Sequence, residues 1–248
     1  MLKLKDLSII QSTEQLMNIP AGKTLINTIN AHSYNIAQKD EAFAEALSKG
    51  DYLIPDGASI VKACRWLKVK SQPKERIAGW NLFSFEMNVL ERKSKELKVT
   101  SDKCLKVMFL GSSEKVLSLI RERATVDYPN LEVVTYSPPY KPEFSDEDNK
   151  AMIQAINGAN PDLLWIGMTA PKQEKWTYRH WNELNIHCHC GTIGAVFDFY
   201  AGTVKRAPLC WQKHSLEWLY RLLMEPRRMW RRYIIGNAKF LYYIYREL

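Results

Sequence analysis

Lys106-Val107-Met108-Phe109-Leu110, followed at once by Gly111-Ser112-Ser113, is the stretch on which the fold turns. A short apolar run closed by small turn residues reads as a strand, and the residues after Ser113 read as a helix. The same unit recurs on either side. Upstream, residues 23–29 read as a buried strand and 31–47 as a helix. Residues 51–54 read as a strand closed by Pro55-Asp56-Gly57, and 58–67 as a helix. Arg76-Ile77-Ala78-Gly79 connects to a helix over 81–92. Downstream, the reading is a strand over 131–136, a proline-rich loop, and a Ser145-capped helix to Asn157. A strand over 162–166, a turn at 167–171, a helix over 172–185 and a strand over 186–190 complete the run. This alternation predicts an α/β fold, a mostly parallel sheet with helices on both faces. Ligands of such sheets sit at the carboxyl ends of the strands.

The 248 residues, 46% of them hydrophobic, suffice for one large α/β domain or a domain plus an appendage. No run approaches the ~18 apolar residues of a membrane span, and the first six residues lack an apolar secretory core. The expected location is therefore the cytoplasm. Five cysteines, an odd set without framework spacing, fit a reducing compartment. His187-Cys188-His189-Cys190 resembles a metal tract, but on a strand its neighbours point to opposite faces and cannot close on one ion. Asp146-Glu147-Asp148 has an Asp-x-Asp form, yet follows Ser145 at a helix start, where acids favour the dipole. No metal site and no cofactor is expected.

Charge divides the chain. Residues 205–248 carry ten Lys/Arg against three acids, net +7, leaving +1 for the first 204. This predicts a body over 1–204 and a helical, basic appendage over 205–248. From Pro208 onward, Leu216, Leu219, Leu222 and Leu223 follow helical spacing until Pro226 breaks the helix. Residues 227–246 then interleave arginines with Trp230, Tyr233, Phe240, Tyr242, Tyr243 and Tyr245. Aromatics at headgroup depth and arginines on lipid or substrate phosphates describe an interfacial segment; a docked helix with a solvated basic face is the plainer reading.

The candidate site residues stand where predicted strands end. Asp56, between Pro55 and Gly57, can present a carboxylate to a cleft and take a proton from an attacking hydroxyl; a turn or cap aspartate is the alternative. Thr28-Ile29-Asn30 ends the first strand. Pro171 fixes a helix start, where backbone amides, Lys172 and Gln173 can hold a diphosphate or a sugar hydroxyl. In the loop Gly191-Thr192-Ile193-Gly194, Gly191 allows close backbone approach to a ligand. Asp198 can bind a ribose or sugar hydroxyl, or cap a helix. G-x-G-x-x-G and the P-loop pattern are both missing, which argues against a dinucleotide oxidoreductase and a P-loop NTPase.

With these residues in place, the chain resembles the WecG/TagA/CpsF family of bacterial glycosyltransferases, from about Thr24 to Arg232. The motifs that carry the resemblance are Thr28-Ile29-Asn30, Pro55-Asp56-Gly57, Glu75-Arg76-Ile77-Ala78-Gly79 and Pro171-Lys172-Gln173-Glu174. They continue through Phe197-Asp198 with Gly202, Arg206-Ala207-Pro208, residues 216–222, Glu225-Pro226-Arg227-Arg228 and Arg231-Arg232-Tyr233. The resemblance implies a Rossmann-like, metal-independent, inverting glycosyltransferase with Asp56 as general base. It implies that Thr28, Arg76 and Gln173 line the pocket. It also implies that the appendage closes over the site at the membrane, with Arg221, Arg228 and Arg231 on the departing UDP. The partners so implied are a UDP-sugar donor, N-acetylmannosamine-type favoured, a polyprenyl-diphosphate-linked sugar acceptor and the inner face of the cytoplasmic membrane. An amphipathic tail can also self-associate into a homo-oligomer. A UDP-glucose-type transferase, an epimerase or hydrolase on the same pocket, and a nucleic-acid binder using the basic tail are the other readings. Against the last, no nucleic-acid module is visible.

Overall fold

A computed structural model describes residues 2–101 and 103–248. Six strands form one sheet: β1 (Thr24–Ile29), β2 (Tyr52–Pro55), β3 (Leu105–Gly111), β4 (Leu131–Tyr136), β5 (Leu163–Gly167) and β6 (His189–Thr192). Their order is β2-β1-β6-β5-β3-β4, and every pairing is parallel. All carboxyl ends therefore lie along one edge. The chain leaves β3 toward β4 and leaves β5 toward β6, in opposite directions, which opens a crevice at that edge.

Period-two alternation explains the coverage on both faces. Val107 and Phe109 of β3 enter one apolar core with Leu163 and Trp165 of β5. Met108, Leu110, Leu164 and Ile166 enter another on the opposite face. Helices cover both: α5 (Gly79–Ser101) supplies Phe83 and Met87 to the first core, and α7 (Asp146–Ala159) supplies Met152 and Ile156 to the second. At the end of β3, Gly111 has φ +121°, and a Cβ there would stand 2.5 Å from the Gly167 carbonyl oxygen. Only glycine lets β3 and β5 end side by side under the crevice.

Several expected elements are cut differently. The helix predicted over 31–47 is two, α2 (Ala31–Ala37) and α3 (Glu41–Lys49), because Asp40 caps the second with its side chain on the Phe43 amide. The helix at 172 ends early, α8 (Lys172–Arg179), and the last strand is β6, shifted past the predicted 186–190. Cys188 and Cys190 face the core while His189 bonds Glu86 and the Pro20 carbonyl. Asp148 of the Asp-x-Asp run closes a capping box with Ser145 and pairs with Lys141.

The C-terminal segment contains α9 (Val196–Tyr200), α10 (Leu209–Lys213), α11 (Glu217–Met224), α12 (Pro226–Trp230), a π-helical turn (Arg231–Ile235) and α13 (Gly236–Tyr245). The basic, aromatic α13 is not a free interfacial helix. Phe240 and Ile244, one turn apart, are buried in a third core with Tyr34 of α2 and with Leu2, Leu4 and Leu7. Asn35 donates to the Gly236 carbonyl at 2.7 Å, and the Leu4 amide donates to the Glu247 carboxylate at 3.0 Å. Among the described residues no helix is long and apolar enough to cross a membrane.

Candidate active site

A cavity of about 1750 Å³ opens at the carboxyl edge of the sheet, with the body on one side and the C-terminal helices on the other. Asp56 follows β2 directly. Its amide donates to Ile29 O and Ile54 O at 2.9 and 3.0 Å, which fixes the turn through backbone bonds alone. The side chain is left to face the cavity, 28% exposed. Burial pushes its carboxyl above the ordinary range, the Arg76 guanidinium opposes this, Glu217 adds to the rise and Arg232 opposes it.

Arg76, on the connection before α5, stands 3.6 Å from Asp56 and 2.7 Å from Glu217, the first residue of α11. Arg206 reaches Glu217 from the other side at 3.5 Å. Arg221, Arg228 and Arg232 also line the cavity. The Nε atoms of Arg206, Arg221 and Arg232 are buried without a hydrogen-bond partner. The Arg232 guanidinium is held below its usual range by burial first, with Arg221 and Arg228 adding repulsion. Clustered guanidiniums with unused donors can receive a polyanion, since arginine binds phosphate oxygens in bidentate fashion. His32 of α2, pushed down to about 4 by burial and then by Arg232, is neutral in this company.

The cavity gathers Thr28, Asn30, Asp56, Arg76, Lys172, Gln173, Asp198, Arg221 and Arg228. Not all are free to bind. Asn30 caps α2, its side-chain oxygen accepting from the His32 and Ser33 amides at 3.0 and 3.1 Å. Gln173 is buried. Its oxygen accepts from the Met168 and Gly194 amides at 3.1 and 3.2 Å, and its amide donates to Glu174 at 2.9 Å. It thus joins the loops after β5 and β6 beneath the cavity. Burial raises the Glu174 carboxyl to about 7. Lys172 donates to the Lys141 carbonyl at 2.5 Å and lies over the Phe144 ring. Asp198, half-buried and raised by burial, accepts from Thr203 at 3.4 Å.

Two expectations are corrected by the geometry. Gly191 lies inside β6, away from the cavity. A Cβ there would stand 2.3 Å from Trp165 Cζ3, so the missing side chain makes room for a core indole, and Gly194 is the loop glycine that lines the cavity. Gly191→Ala should cost about 1–3 kcal/mol by overpacking, read as a fall in Tm with the fold retained. A variant melting with the wild type would contradict this account. Arg231 is likewise displaced: exposed, it lies 5.4 Å from the Trp230 ring, and Arg232 takes its place in the cavity. The π-turn is the reason. It holds more residues per turn than an α-helix, so the fourth residue after Arg228 stays near the cavity face while the third falls behind it. Glu217 and Arg206 were not singled out as ligands either. Their signal was an acid and a base bracketing the start of the arginine-rich segment.

The family model described as "Glycosyl transferase WecG/TagA/CpsF family" matches residues 2–248. The chain is 29% identical over 208 residues to an N-acetylglucosaminyldiphosphoundecaprenol N-acetyl-beta-D-mannosaminyltransferase of Bacillus subtilis (strain 168), covering 84% of this chain and 74% of that protein. It is 30% identical over 196 residues to the protein of the same name in Bacillus spizizenii, covering 79% and 69%. It is 28% identical over 222 residues to that of Staphylococcus aureus (strain MW2), covering 89% and 77%.

Proposed function

The chain belongs to the WecG/TagA/CpsF family of glycosyl transferases, and on that premise we propose that it moves an N-acetylmannosamine-type sugar from a UDP-sugar to a polyprenyl-diphosphate-linked acceptor, with inversion and without a metal. The observation that carries this reading is the Asp56 carboxylate at the end of β2, sharing a cavity with Arg76, Arg206, Arg221, Arg228 and Arg232. The acceptor hydroxyl attacks the anomeric carbon from the face opposite the diphosphate. Its O–H bond breaks and the proton passes to Asp56 as the new C–O bond forms. The bond from the anomeric carbon to the diphosphate oxygen breaks with its electron pair on UDP, and the arginines neutralise that charge. The relatives' names, which specify an N-acetylglucosaminyl-diphospholipid acceptor and an N-acetylmannosaminyl donor group, support the same pair of substrates.

A donor screen with a short lipid-diphosphate acceptor tests the reading. Transfer from the UDP-N-acetylmannosamine donor, undiminished by chelator and giving the inverted anomer, is the expected result. Transfer from UDP-glucose alone would reassign the donor, and hydrolysis without an acceptor product would reject the transferase.

A polyprenyl-linked acceptor supports a reaction at the inner face of the cytoplasmic membrane, and in this reading the segment 205–248 is the appendage that closes the site there. Leu223, Met224, Trp230, Ile234 and Leu241 are exposed along α11 to α13, amid the basic residues. Apolar side chains beside cations suit an anionic lipid surface. Replacing Leu223 and Ile234 together by Glu should lower partitioning onto anionic vesicles by roughly tenfold or more. Unchanged co-sedimentation would remove these side chains from the membrane contact.

A further inference from the structure

One contact in the cleft takes no part in the transfer scheme above. A single nitrogen, Nη2 of Arg76, stands between two acids and bonds the tail's Glu217 at 2.7 Å, leaving Asp56 at 3.6 Å, beyond hydrogen-bond reach. The second oxygen of Glu217 faces Arg206 Nε at 3.5 Å, and the Glu217 side chain is only 12% exposed. A hydrogen bond from Arg76 of the body, with the Arg206 guanidinium of the tail in ion-pair range, therefore holds this glutamate in place. We infer that Glu217 is a positioning residue for the transfer step: it keeps the Arg76 guanidinium off the Asp56 carboxylate, so that this carboxylate stays free to accept a proton. The inference rests on the reading of Asp56 as the base.

The physical reason is the competition of two acids for one cation. A carboxylate closely paired with a guanidinium is stabilised as the anion and becomes a poorer proton acceptor. Glu217 loosens that pairing by taking the hydrogen bond of Arg76 Nη2, and it adds a second negative charge nearby; both effects favour the protonated form of Asp56. The ionisable neighbours around Asp56 are His32 of α2, Lys62 of the helix Ala58–Trp66 that follows β2, Arg76, Arg206, Glu217 of α11 and Arg232 of the π-turn. Of these, Arg76, Glu217 and Arg232 act on it directly, and Glu217 is the one that pushes upward. The tail thus brings two things to the cavity: arginines for the leaving group and an acid that sets the strength of the base. It follows that the base reaches its working strength only with α11 seated against Arg76.

Glu217→Gln keeps the shape and removes the charge. In the 248-residue chain labelled with 13C at aspartate carboxyls, with Asp56→Asn assigning the resonance, Asp56 should titrate roughly one pH unit lower in Glu217→Gln than in the wild type. Glu217→Asp, one methylene shorter, should give a smaller shift in the same direction and serves if the first variant folds poorly. In transfer assays the acid limb of kcat/KM should move down with the titration. Plateau kcat should fall several-fold, with donor KM within about twofold. A purely structural role would lower Tm and scale the rate equally at every pH. An Asp56 titration unmoved in both variants overturns the inference. A shifted titration in a protein whose Asp56→Asn variant transfers at the wild-type rate would instead overturn the assignment of the base, so the two failures are distinguishable.

Discussion

Replacing Asp56 by Asn should lower turnover by two or more orders of magnitude while the protein stays folded. Removing a general base from an oxygen nucleophile of this kind costs about 10²–10⁴ in rate, and no other carboxylate stands at the end of β2 to replace it. Folding should be spared for two reasons. The turn is held by the Asp56 amide on Ile29 and Ile54, and the side chain makes no bond that the turn needs. Burial also disfavours the charged carboxylate in the folded state, so the neutral amide should melt at or above the wild-type temperature. The same shift fixes the sign of the pH dependence. The base must be ionised to act, and its folded pKa lies above the usual 3.8, so wild-type kcat/KM should fall on the acid side at a higher pH than an ordinary aspartate would set. A transfer assay beside a circular-dichroism melt decides the matter. Turnover within tenfold of wild type would remove Asp56 from the reaction.

Arg232→Ala should cost about 10²–10³ in kcat, while Arg231→Ala should change it by less than twofold. The larger figure is that of one donor aimed at charge developing in a transition state. Arg232 lines the cavity with its Nε buried and unpaired, and it is crowded by Arg221 and Arg228. Such a group is costly to bury with its Nε unpaired, and an arriving diphosphate relieves repulsion as well as forming bonds. Arg231, exposed beside Trp230, has no such relation to the cavity. Paired measurements of UDP affinity and single-turnover rate on the two variants are the check. The reverse ranking would mean that the π-turn does not set which arginine serves.

The sheet was legible because its strands are short apolar runs between small turn residues, as at 106–113 and 162–167, where both faces are buried and the signal is strongest. Asp56 was legible for a related reason, since Pro and Gly on either side of an acid at a strand end leave it few other places to point. The register of β6 was not, because a strand containing Gly191 and Thr192 looks like a turn until the Trp165 ring that fills the glycine's space is known. The tail misled in two ways. A helix face made of Phe240 and Ile244 has the same period whether it meets lipid or α2, so sequence alone cannot choose between them. Arg231 and Arg232 are equally spaced candidates on any α-helical reading, and only the local change of winding separates them. Glu217 escaped notice because an acid in a basic segment reads as charge balance; its position between Arg76 and Arg206 exists only in three dimensions.

The docking of α13 bears on the proposed closure of the site. Upstream, Val196, Phe197 and Tyr200 are fastened in one core; downstream, Phe240 and Ile244 are fastened in another. The arginine-bearing stretch between them is a tether fixed at both posts, so it can bow outward but cannot swing away like a loose arm. Under the proposed closure, such bowing would leave the guanidiniums at high local concentration beside the sheet, and reclosure would forfeit little chain entropy.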